Sequence, residues 1–234
     1  MVQRGKNYDD AYAEIDPAHE YNVSEAIALL KDVEFANFDE SADAAFKLNV
    51  NPRHADEMVR GSLVLPHGTG RDKKVLAFAR GQKATEAEEA GADIVGGEDL
   101  VEKINEEGFL DFDVAVATPD MMGEVGKIGR ILGPRGLMPN PKSGTVSMDI
   151  EQVVNELKAG RIEFRVEKAG IIHVSFGRMS FGADELEENL RVIAEELARQ
   201  KPAGAKLPYF QSIAISSTMS PSVKVDAGFA RDYL

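Results

Sequence analysis

Between residues 73 and 120 short apolar runs take turns with helical ones. KKVLAFA is followed by KATEAEEAGA, ADIVGG by EDLVEKINEE, and DVAVATPD closes the series. Strands joined by helices of about ten residues pair in parallel, because a parallel partner requires a crossover long enough to travel back along the sheet. The carboxylates crowding KATEAEEA fit the solvated side of such a crossover helix. This stretch, closed by a predicted helix over MDIEQVVNELKAG, reads as a βαβ-type α/β unit.

Both flanks follow a different grammar. In VSEAIALLKDVEF the spacing of Ile27, Leu30 and Val33 predicts a helix with Ser24 as its N-cap. FDESADAAFKLNVN alternates Phe46, Leu48 and Val50 with Ala45, Lys47 and Asn49, a strand that Pro52 ends, and GSLVLP predicts a second strand stopping at the HGTG turn. After Gly160, RIEFRVEK puts Ile162, Phe164 and Val166 on one face, and GIIHVSFG supplies a partner strand. ADELEENLRVIAEELARQ carries Leu186, Leu190, Ile193 and Leu197 in one stripe, and QSIAISSTMSPSV ends the pattern as a final strand. One arrangement accommodates all of this: an inserted α/β domain, 68–159, within an outer α+β domain built from 1–67 and 160–234, two chain crossings forming a hinge. Two consecutive domains would leave the first 67 residues with two strands and a poor core.

Several function classes are excluded or disfavoured. The 234 residues contain no cysteine, so disulfides, thiolate zinc sites and cysteine nucleophiles are absent, while the length suffices for a core without staples. His19, His54, His67 and His173 are scattered with no metal-binding spacing, and no nucleophile elbow or P-loop occurs. Gly68-x-Gly70 precedes a strand instead of opening a helix, so it reads as a turn between domains. No catalytic residue, metal ligand or cofactor is predicted. No run approaches the ~18 apolar residues of a membrane span, and the polar N-terminus does not resemble a signal peptide, so a soluble intracellular protein is expected.

Charge points in two directions. The net charge is −13, yet GKIGRILGPRGLMPNPKSGTV gathers Lys127, Arg130, Arg135 and Lys142 with no intervening carboxylate. Its five glycines and three prolines predict an irregular loop of fixed path. Such a loop is either a structured connection or a preorganised basic projection toward RNA phosphates.

That stretch also resembles the large-subunit ribosomal protein L-one family, through the long block GRILGPRGLMPNPKSGTV. FDESADAAFKLNVNPRHADEMVRGSLVLPHGTG, EKAGIIHVSFGRMSF and SSTMSPSVK reinforce the resemblance, which covers roughly residues 20–225. It implies a split β-α-β outer domain with an inserted Rossmann-like three-layer α/β domain. It also implies a non-enzymatic structural constituent of the large subunit, sited on the cytoplasmic ribosome. Such a protein binds large-subunit rRNA, forms the mobile stalk beside the exit site and assists release of deacylated tRNA. The implied partners are stalk rRNA, exit-site tRNA and, in bacterial members, the protein's own operon mRNA, whose translation it represses; off the ribosome it is a monomer, away from membranes.

Carried over motif by motif, the RNA contacts fall on Phe38 and Ser41, on Lys168 and His173, and on Ser212, Thr218, Met219 and Ser220. Lys127, Arg130, Arg135 and Lys142 are then a secondary basic loop. Hydroxyls suit 2′-OH and phosphate oxygens, while Phe and Met offer apolar surface to sugars and exposed bases. The competing reading is a nucleotide- or metabolite-binding enzyme using the insert; another is an acidic protein-binding scaffold.

Three features depart from the family pattern. Ser220 stands where glycine is usual, and a need for positive φ there would strain serine. Asn37 replaces a basic residue. The acidity is spread: 16 basic against 23 acidic residues in 1–68 plus 160–234 give −7, and 11 against 17 in 69–159 give −6. This composition suits an ion-rich cytoplasm, where RNA binding would lean on hydrogen bonds and shape.

Overall fold

The computed structural model describes residues 5–54 and 56–234, the side chain of Lys142 excepted. Along the chain, α1 (Lys6–Ala13) and α2 (Val23–Asp32) precede β1 (Ser41–Leu48) and β2 (Arg60–Val64). Then come β3 (Val75–Phe78), α3 (Gln82–Glu89), β4 (Ile94–Gly96), α4 (Glu98–Glu107) and β5 (Val114–Ala117). The short turns α5 (Met122–Val125) and α6 (Gly129–Leu132) lead to α7 (Ile150–Lys158). The last part holds β6 (Arg161–Arg165), β7 (Ile171–Arg178), α8 (Ala183–Arg199), β8 (Phe210–Ser217), β9 (Val223–Val225) and α9 (Gly228–Arg231). This is the mixed helix-and-sheet class expected. The contacts cluster into two compact units, Met1–Gly70 with Ile162–Leu234, and Arg71–Arg161.

The first unit is organised by one antiparallel sheet in the order β7-β1-β8-β9. Period-two alternation along β1 sends Ala42, Ala44, Phe46 and Leu48 inward and leaves Ser41, Asp43, Ala45 and Lys47 on the other face. The inward residues share a core with Ile27 and Leu30 of α2 and with Leu186, Leu190, Ile193 and Leu197 of α8. At Gly177 an added Cβ would lie 2.6 Å from Leu186 Cδ2, so the missing side chain lets α8 come down onto β7.

Two local expectations are corrected. The N-cap of α2 is Asn22, whose Oδ1 accepts from Glu25 N at 2.9 Å; Ser24 instead donates to Glu187 Oε2 at 2.6 Å, tying α2 to α8. GIIHVSFG does not pair with RIEFRVEK. β7 pairs with β1, whereas β6 pairs with β2 in a separate two-stranded sheet. Alternation fixes which face of a strand is buried but says nothing of which strand lies at its edge.

The second unit is a parallel sheet in the order β4-β3-β5. Every residue of β3 is buried, as a strand covered on both faces must be. Leu76 and Phe78 face Leu100, Ile104, Met121, Ile128 and Leu132, while Val75 and Ala77 face Ala87, Val154 and Leu157. The segment expected as an irregular basic loop is therefore mostly wound. Gly126–Ile128, Gly133–Arg135 and Pro141–Ser143 are 3-10 turns around α6, and Ile128 and Leu132 anchor it in the core. The glycines permit close turns and the prolines fix φ, but apolar residues at helical spacing decide its path.

Candidate nucleic-acid interface

The side of the four-stranded sheet turned away from α2 and α8 is mostly polar. Opposed residues on neighbouring antiparallel strands share a face, so the register defines rows across it. One row is Ile171, Lys47 and Ser212; the next is His173, Ala45, Ala214 and Lys224; a third is Ser175, Asp43 and Ser216. Serine or alanine stands at five of these ten positions, so little side-chain bulk rises from the middle of the face. Among the motif-derived residues, Ser41, His173 and Ser212 fall on this face.

Asp43, Lys47, Ser175, Ser216 and Lys224 share this face without having been singled out in the sequence; the alternation read in β1 gives Asp43 and Lys47, while the other three follow from the register. Lys47 Nζ donates to the carbonyl of Ala169, and Lys224 Nζ to that of Pro17 at 2.6 Å. Burial raises the Asp43 carboxyl above its ordinary value, against the lowering effect of a hydrogen bond with Ser175 and of the nearby Arg178 and His173.

At one end of the face, two distant segments are clamped together by Glu40. Its side chain is fully buried, and Oε2 accepts from Ser217 Oγ at 2.6 Å and from Met219 N at 2.7 Å. Ser217 Oγ and Ser220 Oγ lie 2.7 Å apart, and Ser217 N donates to Ser220 Oγ at 3.2 Å. Because Ser217 gives its proton to the carboxylate, Ser220 must donate to Ser217, and the hydroxyls form a directed relay. Next to it, Ser41 N donates to Thr218 Oγ1 at 3.1 Å. The clamp holds Phe38 and Met219 at the surface, 54% and 49% exposed. Met219 also edges a cavity of about 730 Å³ shared with Phe35 and Tyr8.

The serine at 220 causes no backbone strain. Among the described residues no non-glycine has positive φ, and Ser220 is only 8% exposed. Its hydroxyl faces the relay and not the surface, so the side chain supports the turn from beneath. Lys168 is exposed in the turn entering β7, and Glu167 Oε1 lies 3.8 Å from His173 Nε2.

The basic segment lies in the other unit. Lys127 pairs with Glu124, one turn upstream, and that carboxylate raises the lysine pKa. Arg130 and Arg135 are exposed. Lys142 falls on the 3-10 turn Pro141–Ser143, its side chain outside the described residues.

Every segment that builds the clamped patch lies inside residues 30–221, and these match the family described as "Ribosomal protein L1p/L10e family". The chain belongs to that family. A curated relative, the large ribosomal subunit protein uL1 of Solidesulfovibrio magneticus, is 55% identical over 234 residues, covering 100% of this chain and 99% of its own. As a ribosomal L1 family member the chain is a ribosomal component and not an enzyme. The family match leaves α1, most of α2, β9 and α9 outside and ends just after Ser220, at the close of the clamp. Among the described residues no group of His, Asp and Glu could hold a metal ion, and no helix is long and apolar enough to cross a membrane.

Proposed function

We propose that the open sheet face, with the clamped turn at its end, binds large-subunit rRNA, and that the chain is a structural constituent of the large ribosomal subunit at its mobile stalk. The observation that carries this reading is the convergence of Phe38, Ser41, Thr218 and Met219, drawn from opposite ends of the chain, into one surface fixed by Glu40. Hydroxyls, free backbone groups and half-exposed apolar side chains are what 2′-OH-bearing, irregular RNA demands. The unit formed by both chain ends is then the RNA-holding domain, and Arg71–Arg161 an insert carrying the secondary basic segment. Assistance to release of deacylated tRNA and repression of the protein's own operon mRNA belong to the same reading, the mRNA using the same patch in place of rRNA.

The test ranks the two surfaces. Thr218→Ala with Met219→Ala is expected to weaken binding to an isolated stalk rRNA fragment by at least tenfold. Neutralising Lys127, Arg130 and Arg135 together should cost less. The reverse order in a filter-binding titration would transfer the main anchor to the basic segment, and unchanged binding in both would remove the RNA reading.

A further inference from the structure

Behind the turn that carries Lys168, the first unit holds a cavity of about 750 Å³. Pro52, Met58 and Val166 line it with apolar surface; Arg53, Arg165, Glu167 and Lys168 supply its charges. The volume lies within the range of about 300–1,000 Å³ typical of small-molecule sites. Arg53, Arg165 and Lys168 are all exposed, and among the described residues none makes a side-chain hydrogen bond or ion pair. That contrasts with Lys31, Lys47 and Lys224, each bonded to a backbone carbonyl. The single carboxylate on the lining, Glu167, has a neighbour of its own in His173, whose Nε2 lies 3.8 Å from Oε1. Three uncommitted cations around one hollow are conspicuous in a chain of net charge −13.

We infer that this cavity receives an unstacked nucleotide from a single-stranded part of the same RNA. The inference rests on the reading of the sheet face as an rRNA surface, which the cavity adjoins through Glu167 on its lining, 3.8 Å from His173 on the face. A base would lie on Met58, Pro52 and Val166 while Arg53, Arg165 and Lys168 meet the phosphates on either side. A paired base is held in its stack and cannot enter; bases in loops and bulges are free to be splayed out and packed on side chains. Arginine suits the rim because its planar fork takes two phosphate oxygens at once.

Binding of the full-length protein to a stalk rRNA fragment, titrated between 0.05 and ~0.5 M salt, tests this. Arg53→Ala with Arg165→Ala should raise Kd about tenfold at low salt and reduce the slope of log K against log salt by about 1.4, two contacts at ~0.7 each. Met58→Ala should raise Kd about threefold or more and leave the slope unchanged, because the contact it removes is apolar. Circular dichroism melts identify any variant that has lost its fold. Thr218→Ala with Met219→Ala, run alongside, separates the two ideas. If it loses binding while the arginine pair keeps wild-type affinity and slope, the cavity inference is overturned and the sheet-face function stands. If the arginine pair loses binding and the Thr218–Met219 pair does not, the cavity is supported and the sheet-face reading falls. An equal loss by the arginine pair toward uninterrupted double-stranded RNA of the same length would overturn the nucleotide as occupant.

Discussion

Tyr209 is fully buried beside Phe210, its hydroxyl has no partner among the described residues, and burial raises its pKa. A buried donor without an acceptor costs about 1–3 kcal/mol of desolvation. Tyr209→Phe is therefore expected to leave stability unchanged or raise it by about 1 kcal/mol, read as the urea midpoint. Asp43 makes an opposite kind of claim, about pH. Its folded pKa lies above the ordinary 3.8, so the folded chain holds the proton more tightly than the unfolded one. Its contribution to stability is present below the unfolded pKa and is lost as pH rises through the folded value. Wherever Asp43 is ionised it sets a negative charge on the proposed RNA face, and Asp43→Asn should tighten rRNA binding there. It should also abolish the part of the acid-side gain in affinity that Asp43 supplies, measured as Kd from pH 7 down to the upper carboxylate range. None of this was legible in advance: a serine, a tyrosine and a carboxylate announce neither their burial nor their partners. Ser220 makes the point sharply, since family pattern marked it as a source of strain and the fold uses it as a relay.

At the scale of elements the sequence speaks more clearly. The stripe of α8 and the alternation of β1 both follow from period alone, because each element has one face to hide. The wound path of residues 126–135 was hidden under glycine and proline, whose turn signal outweighed Ile128 and Leu132 at helical spacing. Partner choice was not legible either, since β1 finds both its neighbours far along the chain. The α8–β7 contact depends on one absent side chain. A methyl at Gly177 would meet Leu186 Cδ2 at 2.6 Å and Phe181 Cδ2 at 3.1 Å, so both side chains would have to shift within a close-packed interior. Gly177→Ala is expected to destabilise the first unit by about 1–3 kcal/mol, the usual cost of overpacking. The loss should show in thermal melts, and because Gly177 pairs with Ala42 next to the clamp, RNA affinity should fall with it.

For the whole molecule, both the first and last parts of the chain and the middle segment carry excess acid, so the field around the protein opposes any polyanion. Binding must then come from short-range fit, supplemented by a few well-placed cations. The expected result is a salt slope for rRNA binding shallower than about six phosphate contacts would give. Isothermal titration across a range of potassium chloride measures it, and a slope as steep as that of 6–10 contacts would restore charge as the main driver. The clamp has one more consequence, in the order of synthesis. Glu40 and Ser217 lie 177 residues apart, and β1 is translated long before either β7 or β8. Until those neighbours emerge, the nascent polypeptide exposes a strand with both hydrogen-bonding edges bare, an invitation to aggregate or to recruit a chaperone. A message truncated ahead of Ser217 yields a product whose Glu40 carboxylate has lost both donors. Only copies translated past Met219 acquire the grip, so the fold itself sorts finished molecules from fragments.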